Sequence, residues 1–170
     1  MSNLQAREAL ERAQRIFLEK PAAARKTGAA AAAVWRDGLS CAITGPASEK
    51  AMTDMPEPMG GKGNGPSPGW LLRAGLASCT ATAIAMRAAM LGIELRQLEV
   101  SVESESDARG LVGIPNAPTA FSGMRMAIRI GAASVDESRL RELAMWGEGH
   151  SPVSCSLRDR PAVTLDISVV

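Results

Sequence analysis

The sequence lacks tyrosine altogether, contains only 3% aromatic residues and has a single histidine, His150. A protein core must therefore be built from alanine, leucine, valine and the nine methionines, whose flexible thioether side chains fill irregular spaces. There is no Cys-x-x-Cys pair and no pair of histidines, so the spacings that hold zinc are missing. We therefore expect no metal site, and nothing in the sequence indicates another cofactor.

An excess of charge of either sign is also missing. Nineteen basic residues against eighteen acidic ones give a formal charge of +1, which disfavours a nucleic acid partner. The N-terminus lacks the basic segment and apolar run of a signal peptide. The three cysteines, Cys41, Cys79 and Cys155, are too few and odd in number for a disulfide scaffold. These features favour a cytoplasmic protein with one main domain.

One long helix is predicted at the centre of the chain. Ser67 and Pro68 form the pair typical of a helix start, and Gly92 can end the helix in a left-handed conformation. Its many small and hydroxyl-bearing residues make it too polar for a membrane span, so no membrane partner is expected. Its apolar residues point in all directions around the axis, which predicts that protein encloses it. These residues are Leu71, Leu72, Leu76, Ile84, Met86, Met90 and Leu91.

The residues before this helix begin with a second, amphipathic helix. Apolar residues at helical spacing predict it over residues 3–19, and Pro21 ends it. An alanine-rich linker follows. We therefore divide the chain into an N-terminal helix with its linker, residues 1–28, and a main domain, residues 29–170.

Short strands are predicted between the linker and the long helix. Val34-Trp35, the turn Arg36-Asp37-Gly38 and the residues from Leu39 to Thr44 indicate a β-hairpin. Residues 45–65 are rich in glycine, proline and methionine, and we expect an extended loop with one edge strand around residues 51–54.

The residues after the long helix predict a series of strands and shorter helices. Apolar and polar residues alternate in three segments, as in strands with one wet face, at residues 98–102, 124–130 and 163–169. Ser134 and Glu137 form a capping box that predicts a helix burying Leu140, Leu143 and Ala144. Ser151-Pro152 predicts a short helix reaching about residue 157. Together these segments indicate an α+β fold with antiparallel strands gathered on a buried helix.

Cys79, near the middle of the long helix, has two interpretations. A free cysteine often packs as a small apolar residue and is then inert. A reactive thiolate instead needs a partly exposed, electropositive pocket, and the helix dipole supplies little at a mid-helix position. The cationic partner must then come from elsewhere, and Arg36 at the hairpin tip is the candidate. Cys41 lies in a predicted strand and is expected in the core.

An ordered series of short motifs identifies a family. From about Val34 to the C-terminus, the chain resembles the OsmC/Ohr family, the osmotically inducible protein C and organic hydroperoxide resistance proteins. The motifs are Asn64-Gly65-Pro66-Ser67-Pro68, Leu71-Leu72, Ala77-Ser78-Cys79, Gly92-Ile93, Leu98-Glu99-Val100, Asp107-Ala108-Arg109-Gly110 and Ser151-Pro152-Val153-Ser154.

The resemblance implies a fold, an assembly and a reaction. The expected fold is α+β, with long central helices between curved antiparallel sheets, in an intertwined homodimer with two active sites at the subunit interface. Family members reduce organic hydroperoxides with a cysteine on the central helix, which an arginine and a glutamate hold. The resemblance implies that Cys79 is this cysteine and Arg36 this arginine. A second cysteine closes a disulfide that an external dithiol reopens. We also expect the N-terminal helix, outside the resemblance, to enlarge the dimer interface.

Two departures from the family pattern change the expected reaction. Gly69 stands where the family has the glutamate, and Ser151 stands where it has the second cysteine. A hydroxyl cannot form the disulfide. Cys155 lies one helical turn further on and is either a displaced resolving thiol or a packing residue. His150 beside Ser151 is a candidate for proton transfer, or is simply solvated.

Three functions remain open from the sequence. The first is thiol-dependent reduction of organic hydroperoxides of the one-cysteine type, in which an external thiol or dithiol reduces the sulfenic acid of Cys79. The second is a non-catalytic module that binds a small hydrophobic ligand in the apolar pocket of the expected dimer. The third is a redox sensor that stores oxidation at Cys79. The reactivity of Cys79 relative to Cys41 and Cys155 separates the second from the others.

Overall fold

A computed structural model describes residues 3–170 of the protein. The helices are α1 (Asn3–Glu19), α2 (Pro68–Met90), α3 (Ala108–Leu111), α4 (Glu137–Gly149) and α5 (Pro152–Arg158). The strands are β1 (Ala32–Trp35), β2 (Cys41–Thr44), β3 (Lys50–Thr53), β4 (Leu95–Glu105) and β5 (Gly123–Ala132). The chain divides into two compact units, Glu8–Gly75 and residues 3–7 with Leu76–Val170. None of the helices in the described residues is long and apolar enough to cross a membrane.

The unit Glu8–Gly75 contains a three-stranded antiparallel sheet in the order β1-β2-β3. Trp35 pairs with Cys41 across the hairpin, and Gly38 adopts a φ of 53°, a left-handed value that glycine accepts without strain. The indole Nε1 of Trp35 donates to the carbonyl of Gly38 at 3.0 Å, which closes the turn around Arg36. The predicted hairpin and edge strand are confirmed.

Asp54, which is buried, organises the loop after β3. Its carboxylate accepts the backbone N–H groups of Met55 at 2.8 Å, Lys62 at 3.0 Å and Asn64 at 3.2 Å. Burial raises the pKa of the Asp54 carboxyl, but these three N–H groups and the Lys62 charge outweigh it, so the pKa lies below its ordinary value. Lys62 Nζ also contacts Asp37 Oδ2 at 2.5 Å. The loop is thereby tied to the hairpin tip that carries Arg36.

Helix α2 has the predicted ends. The backbone N–H of Trp70 donates to Ser67 Oγ at 3.2 Å, and Gly92 has a φ of 68°. The prediction that protein encloses this helix is not met within the single chain, because its buried positions lie mainly along one stripe and Trp70 and Met86 are 50% and 44% exposed. The buried residues are Leu76, Thr80, Ile84, Ala88 and Ala89.

The core lies in the unit that contains Leu76–Val170, where α2 and α4 pack against the antiparallel pair of β4 and β5. Ile84, Ala88 and Leu143 are almost fully buried at its centre. Alternate residues of the two strands pack on them, for example Val100 and its register partner Ile128. The predicted alternation of these strands is confirmed, and one face of the sheet covers the helices.

Helix α4 begins two residues later than the predicted capping box implies. Its N-cap is Asp136, whose Oδ1 accepts the backbone N–H of Arg139 at 2.8 Å. Ser134, predicted as the cap, instead has a φ of 58° in the turn before the helix. The prediction was wrong because Asp136 is also a strong N-cap residue, and its position fits the turn that leaves β5.

The C-terminal strand predicted at residues 163–169 is also wrong for the single chain. Residues 160–170 form no regular secondary structure. The side chains of Val163, Leu165, Ile167 and Val169 are 76–93% exposed. The alternating pattern is present, but a strand needs a neighbour for its backbone hydrogen bonds, and this segment has no strand partner within residues 3–170.

Gly147 of α4 sits directly against α2. A Cβ at this position would lie 2.2 Å from Ile84 Cγ1 and 2.8 Å from the Ile84 backbone nitrogen. We expect Gly147→Ala to destabilise the protein by about 1–3 kcal/mol in urea unfolding, because the backbone clash outweighs the helix propensity of alanine. Gly149→Ala is the control, since a Cβ there meets nothing within 4 Å. Equal stability of the two variants would contradict this packing.

The lowered pKa of Asp54 predicts a pH dependence of stability. The ionised carboxylate stabilises the fold fully above the unfolded pKa of about 3.9, and the stabilisation is lost as pH falls through the lower folded pKa. Asp54→Asn should therefore lower the urea midpoint at neutral pH and show a smaller further loss on acidification than the wild type. Glu57→Gln, an exposed carboxylate in the same loop, should follow the wild-type profile. An unchanged pH profile in Asp54→Asn would refute the role.

Candidate functional site

Cys79 is half-buried on α2, beside the buried stripe of that helix. The next residue, Thr80, is fully buried, and its Oγ1 is the one buried side-chain oxygen or nitrogen among the described residues without a hydrogen-bond partner. An unsatisfied buried hydroxyl costs about 1–3 kcal/mol, so it is a feature that needs an explanation. Consecutive residues of a helix point about 100° apart, so the Thr80 hydroxyl faces the core with Leu76 and Ile84, and not the space beside the thiol.

Arg36 is exposed at the tip of the β1–β2 hairpin, in the unit Glu8–Gly75. Its backbone N–H donates to the carbonyl of Ser40 at 3.0 Å, and the neighbouring Asp37 is held by Lys62. The position of its backbone is therefore well defined within this unit. Cys79 belongs to the other unit, and the pairing of the Arg36 guanidinium with the Cys79 sulfur stays a prediction.

Ser151 is fully buried and caps α5. Its Oγ accepts the backbone N–H of Ser154 at 3.4 Å, and Pro152 follows at the first helical position, as expected for a helix start. The predicted short helix is confirmed. At the position where the resemblance predicts a second cysteine, the chain therefore has a capping hydroxyl.

Cys155 lies one turn further along α5 and is surrounded by polar groups. Its backbone N–H donates to the Ser151 carbonyl at 2.9 Å, which is the one-turn spacing predicted. Its thiol donates to the carbonyl of Gly149 at 3.3 Å. The Arg158 guanidinium donates from Nη2 to the Cys155 sulfur at 3.4 Å. A cation thus stands directly at this thiol.

The same guanidinium is held by a carboxylate. Arg158 Nη1 contacts Glu148 Oε1 and donates to Ser154 Oγ at 3.1 Å, and the Ser154 hydroxyl itself donates to Glu148 Oε1. We name these residues, Glu148, Ser154, Cys155 and Arg158, the Cys155 cluster. Sequence reasoning missed Glu148 and Arg158, although the three-residue spacing of Cys155 and Arg158 places both on one helix face.

The pKa shifts in the Cys155 cluster keep its ion pair charged. The hydrogen bond from Ser154 is the largest cause that lowers the pKa of Glu148, burial opposes it, and Arg158 lowers that pKa further. The pKa of Arg158 is raised, first by its hydrogen bond to Glu148 and to a smaller extent by Cys155. Glu148 is therefore an ionised acceptor that orients the guanidinium over the pH range of ordinary assays.

His150 is exposed and stacks on a neighbouring ring. Its imidazole lies 3.8 Å from the Trp146 ring centre at 11°, and its Nδ1 is 2.7 Å from the Trp146 carbonyl oxygen. The Arg87 guanidinium covers the same indole at 4.8 Å. These local contacts account for the orientation of the imidazole, and they give no support to proton transfer at Ser151. Within residues 3–170, no group of three or more metal-ligating side chains occurs.

Comparison with known proteins places the chain in a family. The family described as OsmC-like protein matches residues 61–166. An OsmC-like protein of Mycoplasma pneumoniae superposes with a TM-score of 0.67 at 16% identity, over 80% of this chain and 91% of that one. An organic hydroperoxide resistance protein of Legionella pneumophila gives 0.58 at 21% identity, over 78% and 92%. The organic hydroperoxide resistance protein OhrB of Bacillus subtilis gives 0.53 at 22% identity, over 79% and 93%.

These structures share the mixed fold of helices and antiparallel strands described above. No curated protein sequence matches the chain. The family match covers more than half of the chain and includes α2 with Cys79 as well as α5 with Cys155. The chain belongs to the OsmC-like family.

Proposed function

We propose that this protein reduces organic hydroperoxides at Cys79 with electrons from an external thiol or dithiol. The observation that carries the proposal is the half-buried thiol of Cys79 on the central helix, within the residues that match the OsmC-like family. It is supported by the fold, which is shared with organic hydroperoxide resistance proteins of Legionella pneumophila and Bacillus subtilis.

The proposed reaction begins with attack of the Cys79 thiolate on the distal peroxide oxygen. An S–O bond forms, the O–O bond breaks, and the departing alkoxide takes a proton and leaves as the alcohol. The product on the enzyme is a sulfenic acid. Arg36 would stabilise the thiolate and the peroxide with its positive charge.

The sulfenic acid is then reduced by external thiols. One thiol displaces water to form a mixed disulfide, and a second thiol releases Cys79 and leaves as the disulfide. Ser151 cannot take the role of a resolving cysteine because its hydroxyl forms no disulfide. Cys155 is the alternative resolving group, and a Cys79–Cys155 disulfide would reveal it. Three free cysteines suit a reducing compartment such as the cytoplasm, where thiol reductants are available.

We further propose that the protein acts as an intertwined homodimer. Helix α1 has no buried residue, every residue of β1 is exposed, and α2 is buried mainly along one stripe. The apolar side chains of residues 163–169 have neither a core nor a neighbouring strand. A second copy would bury these surfaces and pair the unpaired segment, as the hydrophobic effect demands. On this view residues 1–28 extend the interface of the main domain, residues 29–170.

A groove in the unit Leu76–Val170 favours a second function, binding of a small hydrophobic ligand without catalysis. The groove between α4 and the β4–β5 sheet has a volume of about 610 Å³, which lies in the size range of ligand pockets. Apolar side chains such as Met126 and Leu140 line it, together with the charged side chains of Arg129, Glu137 and Arg141. A ligand that binds here while all three thiols stay unreactive would favour this function.

We expect the purified protein to consume cumene hydroperoxide in the presence of dithiothreitol. Cys79→Ser should lower the turnover about tenfold or more, because the attacking thiolate is removed. Arg36→Met should lower it about tenfold, because a hydrogen bond to a charged group is lost. Cys41→Ser is the matched control and should keep the wild-type rate. Full turnover in Cys79→Ser would contradict the proposed site, and one oxidation without turnover would indicate a redox sensor.

The proposed dimer predicts the effect of two changes on assembly. Light scattering after size-exclusion chromatography should find a dimer for the full chain. Deletion of residues 1–21 and the substitution Ile167→Ser should each raise the concentration at which the dimer dissociates, by about tenfold for the buried isoleucine.

Ser168→Ala is the control for Ile167→Ser, because residue 168 has the opposite phase in the alternating segment. It should leave the dimer unchanged. A monomeric full chain at micromolar concentration, or equal effects of the two substitutions, would overturn this assembly.

A further inference from the structure

The Cys155 cluster combines a thiol, a guanidinium and a carboxylate within a single stretch of chain, residues 148–158. Arg158 is the central group: Nη2 donates to the Cys155 sulfur at 3.4 Å, and Nη1 contacts Glu148. All its members lie in the unit Leu76–Val170, on α4 and α5. The arrangement therefore exists in the single chain.

Each member has a defined place around the sulfur. The Arg158 guanidinium places positive charge and an N–H donor at the Cys155 sulfur. A cation beside a partly exposed thiol is typical of cysteines that react with electrophiles. Glu148 and Ser154 occupy the other side of the guanidinium and fix its direction.

The cluster is open to small molecules. Cys155 is half-buried, and the side chains of Arg158 and Glu148 are 48% and 36% exposed. The resemblance predicts a glutamate at position 69, where the sequence has Gly69. Glu148 is a carboxylate that instead holds the arginine beside a different thiol, Cys155. Cys155 thus has a guanidinium at its sulfur and a carboxylate holding that guanidinium, both within its own unit.

We propose that Cys155 is a second peroxide-reacting thiol, which attacks hydroperoxides directly and independently of Cys79. This inference rests on the proposed function only for the choice of hydroperoxide as the oxidant. The Cys155 thiolate attacks the distal peroxide oxygen, an S–O bond forms as the O–O bond breaks, and the alcohol leaves after protonation. Two equivalents of an external thiol then return the sulfenic acid to the thiol, with release of water and one disulfide.

This role differs from that of a resolving cysteine. A resolving thiol attacks an already oxidised Cys79 and is never itself converted to a sulfenic acid by peroxide. A direct reaction at Cys155 requires no oxidised partner. The two roles therefore predict different products when Cys79 is absent.

The test uses the full chain with Cys41→Ser and Cys79→Ser, so that Cys155 is the remaining thiol. The protein is treated with cumene hydroperoxide in the presence of dimedone, which traps sulfenic acids, and the adduct is followed by mass spectrometry. We expect labelling of Cys155, slowed about tenfold by Arg158→Met, because one hydrogen bond to a charged group is removed. Arg141→Met is the matched control, since this exposed arginine pairs with Glu137 on α4. It should leave the labelling rate unchanged.

The wild-type chain provides a measurement that does not depend on any substitution. There, dimedone should label Cys155 faster than Cys41 in the same sample. Absence of label at Cys155 while the wild type still consumes peroxide would overturn this inference and leave the proposed function intact. A Cys79–Cys155 disulfide in the wild type, with no label on the isolated Cys155, would overturn it in favour of a resolving role. Labelled Cys155 without catalytic turnover would support it and refute the proposed function.

Discussion

The close contact between Gly147 of α4 and Ile84 of α2 is the constraint on which the rest of the second unit depends. The helices can approach this closely only because residue 147 has no side chain, since a Cβ would fall within 3 Å of the Ile84 backbone. Thr80 lies one turn before Ile84, and Ser151 lies one turn beyond Gly147 in the chain. Both are fully buried. Thr80, next to Cys79, and Ser151, the cap of α5, are therefore placed by the same packing that forms the core.

Features fixed by local chemistry could be predicted from the sequence. The ends of α2 follow from Ser67-Pro68 and Gly92, and the hairpin follows from a turn that needs a left-handed glycine at position 38. The alternation of apolar and polar residues predicted that β4 and β5 are strands, and it predicted which face packs on the helices. In each case, the residues that determine the structure are neighbours in sequence, so their interactions do not depend on the remainder of the fold.

Features that depend on competition or on distant partners could not be predicted. Asp136 and Ser134 are both suitable N-caps, and only the path of the chain out of β5 selects Asp136. The segment at residues 163–169 has the pattern of a strand but no strand beside it in its own chain. The guanidinium at Cys155 could be suspected from the spacing of Arg158, but its orientation depends on Glu148 from the preceding helix.

The proposed homodimer would explain both the exposed apolar side chains of residues 163–169 and the incomplete burial of α2. A helix with apolar residues on all sides cannot be stable in water with only one stripe covered, because each exposed aliphatic side chain forfeits about 1.5–3 kcal/mol of burial. The sequence pattern therefore fits the homodimer proposed above better than it fits the single chain. The predicted enclosure of α2 and the predicted C-terminal strand fail together, as expected if a second copy supplies both partners.

The two thiols differ in the origin of the positive charge beside them. Arg36, the cation proposed for Cys79, belongs to another compact unit. Arg158 is three residues from Cys155 on the same helix, and it donates to the sulfur in the single chain. The positive charge at Cys155 therefore follows from local structure, whereas the one proposed for Cys79 requires a contact that local structure does not supply. The proposed reaction at Cys155 would accordingly need neither Arg36 nor a second copy of the chain.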